Sequence, residues 1–408
     1  MDNVAQGIRA ITGGEFMFAT GIECSYPTVV GRDGRRKRID ELEKCFHYKR
    51  WRDDLRLVRE LGIRYLRYGP PYYSVHRGPG SYDWSFTDEA FAEMRRLGIE
   101  PIADLCHFGV PDWIENFQNP EWPSLFAEYA GAFARRYPWV RLYTPVNEIF
   151  VCAKLSALHG FWNEQLHSEE SFVTALKHLC RANLLAVQAI LHERGDAFFI
   201  QSESAEYFHE GCRDPDMVAK ADFENQRSFL SFDLLYSHQV RPDIRDYLRR
   251  CGLDDAEYSW FMNHGLSERI IMGNDFYRQN EQILMPGNRI EPAGDVFGWY
   301  IITREYYERY GRPIMHTETN CLGSGADDAP RWLWRQFLNV RLLLSEGAPV
   351  LGFTWYSLID QMDWDIDLRD ELNMVNPVGL FDMDRRPRPV AATYRRIIAE
   401  YRLPSAEC

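Results

Sequence analysis

Val140-Arg141-Leu142-Tyr143-Thr144-Pro145-Val146-Asn147-Glu148 is the stretch on which the reading of this chain turns. Residues 140–146 are mostly apolar or aromatic and read as a buried strand, which sets an amide and a carboxylate side by side at its C-terminal end. A carboxylate at a strand mouth cleaves little alone. A second short apolar run downstream, Pro313-Ile314-Met315-His316-Thr317-Glu318, also ends in glutamate. Two strand-terminal glutamates are the minimum equipment for cleaving a glycosidic bond.

The surrounding pattern tells which fold would bring the two together. Tyr48 to Leu61 places Trp51, Leu55, Val58 and Leu61 on one helical face, Gly62 stops it, and residues 63–68 follow as a strand. The same cycle recurs. Helix Phe86 to Leu97 precedes strand Pro101 to Leu105, and helix Pro123 to Arg136 precedes the Asn147-Glu148 strand. Helix Glu169 to Arg194 precedes strand Ala197 to Ile200. A mostly helical stretch from Asp216 to His264, broken at Pro242 and Gly252, precedes strand Arg269 to Asn274. Helix Trp299 to Tyr310 precedes the Glu318 strand, Arg331 to Ser345 precedes strand Val350 to Trp355, and Arg388 to Tyr401 closes the chain. With the opening strand Phe16 to Thr20 this makes eight strand–helix cycles. Near-continuously apolar strands alternating with helices predict a parallel sheet, and eight of them predict a (β/α)8 TIM barrel, an α/β fold spanning residues 1–408 as one domain. In a closed eight-stranded ring the fourth and seventh strands face each other across the mouth, where barrel sites gather.

Bulk properties agree and narrow the function. The 408 residues are 45% hydrophobic and 26% charged, which suits a globular enzyme, and a barrel of this length needs no disulfide or metal staple. A net charge of −13 argues against nucleic acid or an anionic membrane as partner. No apolar run reaches membrane-spanning length and no N-terminal basic-then-apolar signal is visible, so a cytoplasmic location is the default expectation. Cys24, Cys106, Cys152 and Cys321 lack any ligand spacing and read as reduced, mostly buried thiols. Gly31 to Arg38, glycine-rich and basic, reads as a solvated loop. His107 ends the third strand on the same rim as the glutamates, with no second ligand at metal spacing, so no metal and no cofactor are expected. No glycine-rich phosphate loop follows a strand.

Arg67, at the end of the second strand, is placed to hold a partner carboxylate ionised, as a nucleophile requires. Asn147 offers an amide to a sugar hydroxyl beside the reacting carbon. The high aromatic content, 14% with 12 Trp and 22 Tyr, provides flat faces on which sugar rings stack, although cores and helix packing absorb most of it.

Over nearly its whole length the chain resembles glycoside hydrolase family 1, the β-glucosidase and β-galactosidase family of clan A barrels. The resemblance is carried, in the family's order, by Phe16 to Thr20 with Ser25-Tyr26, His47 to Asp54, Glu60-Leu61-Gly62, Leu66-Arg67-Tyr68 and Gly98 to Phe108 with Pro111. It continues through Thr144 to Glu148, Thr317-Glu318, Ser357-Leu358-Ile359-Asp360 with Trp364, and Gly379-Leu380-Phe381. It implies a retaining β-glycosidase with Glu148 as acid/base and Glu318 as nucleophile. Asn147 would meet the sugar 2-hydroxyl and His107 the 3-hydroxyl. Arg67 and Tyr277 would support the nucleophile, and Tyr277, Trp355, Tyr356, Asp363 and Trp364 would line the sugar site. A transglycosidase using the same residues, and a barrel that binds sugar without turnover, are the alternatives; oligomeric state is left open.

The sequence also departs from the family's pattern. Pro27 stands where a sugar-binding glutamine normally follows Ser-Tyr, Asp275 replaces an asparagine, Tyr356 a tryptophan, and Asp363 a glutamate; Ile149 follows Glu148 in place of proline, and Thr319-Asn320 replaces Asn-Gly. These changes predict standard cleavage machinery beside an altered sugar pocket. The carboxylates Asp360, Asp363, Asp365, Asp367 and Asp370 also admit a calcium-site reading, the weaker one.

Overall fold

Eight apolar segments, each too uniformly hydrophobic for a sheet with one wet face, pair in parallel and close on themselves in the computed structural model, which describes residues 7, 12–266, 268–323, 325 and 327–402. The strands are β1 (Met17–Gly21), β2 (Tyr65–Tyr68), β3 (Glu100–Asp104), β4 (Leu142–Thr144), β5 (Phe198–Ser204), β6 (Ile270–Asp275), β7 (Ile314–Glu318) and β8 (Val350–Trp355). Each pairs with its neighbours in chain order, and β8 closes onto β1 with Met17 opposite Gly352 and Thr20 opposite Trp355. This is the TIM barrel that the alternating pattern predicts.

Met17, Ala19, Tyr65, Ile102, Leu142, Phe198, Ile200, Ile271 and Met315 fill the barrel interior below the site. The larger apolar cluster lies between strands and outer helices. Those helices are α1 (His47–Glu60), α2 (Ser85–Leu97), α3 (Trp122–Arg136), α4 (Glu169–Glu193), α5 (Pro215–Ser228), α6 (Leu230–Leu235), α7 (Pro242–Arg250), α8 (Asp255–His264), α9 (Gly298–Tyr310), α10 (Asp328–Ser345) and α11 (Pro389–Arg402). Their ends fall where the sequence signals them. Gly98 and Gly311 close α2 and α9 in the left-handed conformation, and Ser168 caps α4 by accepting from the Ser171 amide. No helix among the described residues is long and apolar enough to cross a membrane.

Two local expectations change. Gly31 to Arg38 is not merely a solvated loop. Thr28–Val30 and Arg36–Arg38 pair as an antiparallel hairpin, pinned because Arg38 donates to the Tyr26 and Val110 carbonyls and Arg36 to that of Glu115. A small three-stranded sheet, Tyr207–Glu210, Glu281–Met285 and Arg289–Pro292, also escaped the pattern, because each strand is short and only half buried. It folds over the β5 and β6 ends. The cysteines among the described residues are free, and all but Cys212 are buried.

Candidate active site

The C-terminal ends of the strands open into one cavity of about 550 Å³, and both glutamates line it. Glu318 ends β7. Its Oε1 accepts from the Arg67 guanidinium and its Oε2 from the Tyr277 hydroxyl at 2.7 Å. Arg67 comes from β2 and is 1% exposed, so its charge is unscreened by solvent. The same guanidinium donates to Asp104 Oδ2 at 2.9 Å and to Asn147 Oδ1 at 2.7 Å. His107 Nδ1 meets that Asp104 oxygen at 2.8 Å, and its Nε2 lies 3.2 Å from Asn147 Nδ2. One continuous network therefore joins the ends of β2, β3, β4 and β7. It fixes the Asn147 amide and the His107 ring at the cavity wall, and Asp104 favours the protonated imidazole.

Glu148 is held differently. It begins a short helix, Ile149–Ala153, with φ of 38°, a left-handed conformation that costs a non-glycine residue about 1–3 kcal/mol. Its amide donates to the Ser202 carbonyl, which locks the turn to β5. The side chain is 8% exposed, faces the cavity, and among the described residues has no lysine or arginine paired with it. Burial first, then the charges of Asp275, Glu318 and Glu203, push its pKa well above the usual carboxylate value. The two glutamates thus sit in opposite settings, one gripped by a guanidinium and a hydroxyl, the other desolvated among carboxylates. Two carboxyls in such different surroundings are what acid and nucleophile roles require.

Asp275 ends β6 beside Glu318 in the strand register, is fully buried, and accepts from the Ser202 hydroxyl at 2.6 Å. Burial, reinforced by Glu318, raises its pKa well above the ordinary carboxylate value, against the opposing pull of Arg67 and the Ser202 hydroxyl. Glu203 accepts from the Phe150 and Ser204 amides, and burial pushes its pKa up to about 7.

The remaining expected residues divide. His107, Tyr277 and Trp364 line the cavity, and Arg67 and Asn147 stand directly behind its wall. Trp355, Tyr356 and Asp363 do not line it. Trp355 is fully buried and donates from its indole to the Val378 carbonyl. Tyr356 lies flat behind His107, with ring centroids 6.1 Å apart, and under Arg67. Gly21 makes room for that ring, since a Cβ there would lie 2.0 Å from it. Asp363 accepts from the Leu372, Asn373 and Met374 amides and from Lys44, so its carboxylate is spent on shaping a loop. The other four carboxylates of the calcium reading diverge as well. Asp360 pairs with Arg388, Asp370 with Arg32 and Lys37, Asp365 accepts from Asn376, and Asp367 lies near Arg369.

Pro27 is corrected too. It lies outside the cavity, and the residue that the chain after β1 presents to it is Glu23. Glu23 accepts from the Ser25 amide at 2.9 Å, the Ser25 hydroxyl at 2.6 Å and the Gln361 amide at 2.9 Å. Glu23, Gln361 and Asp104 escaped the sequence reading. Asp104 was signalled by its place three residues before His107 at a strand end; Glu23 and Gln361 carry no local signal. Cys24, Asp104 and His107 bring three donor atoms within 4.8 Å of one another, a juxtaposition no spacing announced. The Arg67 guanidinium shares the Asp104 oxygen, and a fixed cation there fits a hydrogen-bonded network better than a metal.

Fold and site together define a TIM barrel with two inequivalent buried glutamates at the strand-end mouth of one cavity. Comparison with known proteins places that class. Residues 35–206 match the model of glycosyl hydrolase family 1. The chain is 26% identical to a bifunctional β-D-glucosidase/β-D-fucosidase of Bifidobacterium breve, with 87% of each covered, and 26% identical to a 6-phospho-β-glucosidase of Clostridium longisporum, with 77% of this chain and 76% of that one covered. The β-glucosidase of Thermotoga maritima in complex with glucoimidazole superposes with a TM-score of 0.78 at 17% identity, over 95% of this chain and 98% of that one. The chain resembles glycoside hydrolase family 1 in sequence, and it shares the barrel of that structure.

Proposed function

We propose that the protein is a β-glycosidase that works by double displacement, the whole chain serving as one catalytic barrel. Glu318 attacks the anomeric carbon while Glu148 protonates the leaving oxygen. Glu148 then takes a proton from water as that water releases the sugar. The observation that carries this reading is the opposite treatment of the two carboxyls. Arg67 and the Tyr277 hydroxyl hold Glu318 as a carboxylate ready to attack, whereas burial among acids keeps Glu148 protonated and ready to give. Asn147, anchored by Arg67 and His107, presents its amide beside the bond to be broken, where a contact to the 2-hydroxyl strengthens in the transition state. Relatives named as β-glucosidases and a β-glucosidase/β-fucosidase support a β-linked sugar as substrate.

A 2-deoxy-2-fluoro glycoside with a good leaving group tests the reading in one step. Glu318 is expected to be trapped as a stable glycosyl ester, recovered on its peptide by mass spectrometry. Label on another residue, or turnover of a reactive aryl glycoside with no label at all, refutes the assignment. A barrel that only binds sugar would give neither.

A further inference from the structure

The relatives divide by the charge of the sugar they act on: some are named for plain glucosides, others for 6-phosphoglucosides. The cavity of this chain takes a side. Its closed end is built from Glu23, His107, Gln361, Asn376 and the two central glutamates, and its mouth adds Glu206, Asp365 and Asp367. Among the described residues lining it, the side chains able to carry positive charge are Lys154, Arg278 and His107, and the last is already engaged by Asp104 at 2.8 Å, with Glu23 at 3.8 Å. Lys154 is ion-paired to Glu206, and Arg278 is an exposed mouth residue whose guanidinium lies over the Trp332 ring at 5.4 Å. Arg67 stands behind the wall and is consumed by Glu318, Asp104 and Asn147. A phosphate or carboxylate on the sugar would find no free guanidinium or ammonium at the closed end, and recognition of such groups depends on them.

Glu23 makes that end actively unfavourable to anions. It is 3% exposed, and three donors, the Ser25 amide, the Ser25 hydroxyl and the Gln361 amide, point at its oxygens. Burial raises its pKa above the ordinary carboxylate value, and His107 and the two Ser25 donors pull against that rise. An acceptor-only arrangement of this kind favours the ionised carboxylate. Its remaining lone pairs face the cavity beside His107, whose Nε2 is 3.8 Å away. Hydroxyl groups donate to such a carboxylate; an anion is repelled by it in a site with little water to screen the charge.

We propose that Glu23 sets the charge selectivity of the cavity, so that the sugar accepted in it is uncharged and hydroxyl-bearing, and glycones carrying a 6-phosphate or a uronic carboxylate are rejected. The proposal rests on the glycosidase reading above, and its test keeps the two separable. The purified full chain is given an aryl β-glucoside, its 6-phosphate and the corresponding β-glucuronide. Expected kcat/KM for both anionic substrates is at least about 100-fold below that for the plain glucoside. Glu23→Gln keeps the size and loses the charge, and it is expected to narrow that gap by at least tenfold, mainly through KM. A 6-phosphate hydrolysed as well as or better than the plain sugar overturns the proposal, as does a folded Glu23→Gln variant with the ratio unchanged. If this variant does not fold, the ranking of the three substrates on the unaltered protein decides. If none is turned over, the glycosidase reading has failed. Calorimetric binding of a non-hydrolysable thio-β-glucoside against its 6-phosphate then decides the charge question, with preference for the phosphate overturning it.

Discussion

Replacing Glu148 by alanine separates the two halves of the mechanism. The side chain faces the cavity and among the described residues has no guanidinium or ammonium bound to it, so its removal leaves the Arg67 network on Glu318 intact and opens a space the size of its carboxyl group. General acid catalysis by a positioned carboxyl contributes about 10²–10⁴-fold, or roughly 2.7–5.4 kcal/mol of barrier at 1.36 kcal/mol per tenfold. The whole of that loss is expected in kcat/KM for a poor leaving group such as an alkyl alcohol. Little of it is expected for dinitrophenolate, which departs without a proton. Breakdown of the glycosyl-enzyme still needs a base, so kcat with the dinitrophenyl glycoside falls and a burst appears. Azide, needing no base, fills the space, restores turnover and leaves as the β-glycosyl azide. Stopped-flow release of the aryl group across a leaving-group series, with product analysis by NMR, reads all of this. A uniform loss across leaving groups, with no azide product in a folded variant, refutes the assignment of Glu148. The wild-type pH profile supplies an independent check. A carboxyl raised by burial is protonated at neutral pH and loses its proton on the alkaline side, so the alkaline limb of kcat/KM belongs to Glu148 and is expected to disappear in the alanine variant.

Glu318→Gln is expected to abolish turnover even of dinitrophenyl glycosides while leaving the melting temperature within a few degrees, measured by burst kinetics and calorimetry; retained activity would rule out Glu318. Tyr277→Phe removes the 2.7 Å hydroxyl contact to Glu318. A hydrogen bond to a charged group contributes about 1.5–3 kcal/mol, so a 10- to 150-fold fall in kcat/KM is expected, and a change under threefold would remove Tyr277 from the machinery. Away from the site, Asp54 is fully buried between Arg385 and His47. Burial alone would raise its pKa, but hydrogen bonds from His47 and Arg385 outweigh that and hold it below the ordinary carboxylate value. A lowered carboxylate stabilises the fold above its unfolded pKa of about 3.9, and that stability is lost as pH falls through the folded value. Asp54→Ala is therefore expected to cost about 3–5 kcal/mol in urea unfolding at pH 7, and distinctly less near pH 3.

The barrel was legible because its signal is periodic and repeated. Each strand carries an apolar run and is buried nearly throughout, and each helix carries one apolar face, with stops such as Gly98 or Gly311. The excursions were not, because Tyr207–Glu210 or Glu281–Met285 is a few residues long and packs on neighbours the sequence does not identify. At the site, strand-terminal position was informative. Arg67, His107, Asn147, Tyr277, Glu148 and Glu318 converge as the strand order implies. Beyond the strand ends position lost its meaning, since loop conformation decides which side chain turns inward. Asp363 and Glu23 show this. Asp363 sits where a sugar-contacting carboxylate is expected, yet three amides and Lys44 turn it into the frame of the loop at 372–374. Glu23 has no strand to orient it and reaches the cavity because Ser25 and Gln361 hold it there.

The two displacements are linked by charge. The acid on the β8 loop, Asp363, stands off the cavity wall, while an acid after β1, Glu23, stands on it, so the closed end presents a carboxylate from a different strand. At Asp275, where the family has an amide, burial beside Glu318 raises the pKa and so disfavours a second negative charge. In the proposed mechanism Glu318 is the attacking carboxylate, held by the guanidinium that also grips Asp104. Glu23 and Gln361 form a corner of the cavity that the proposed bond-breaking step does not use. That separation lets the corner change which sugar is held without disturbing how its bond is cut. It also makes a firm demand: substitutions at Glu23 and Gln361 should move KM and substrate ranking, and leave untouched the leaving-group dependence that reports on Glu148.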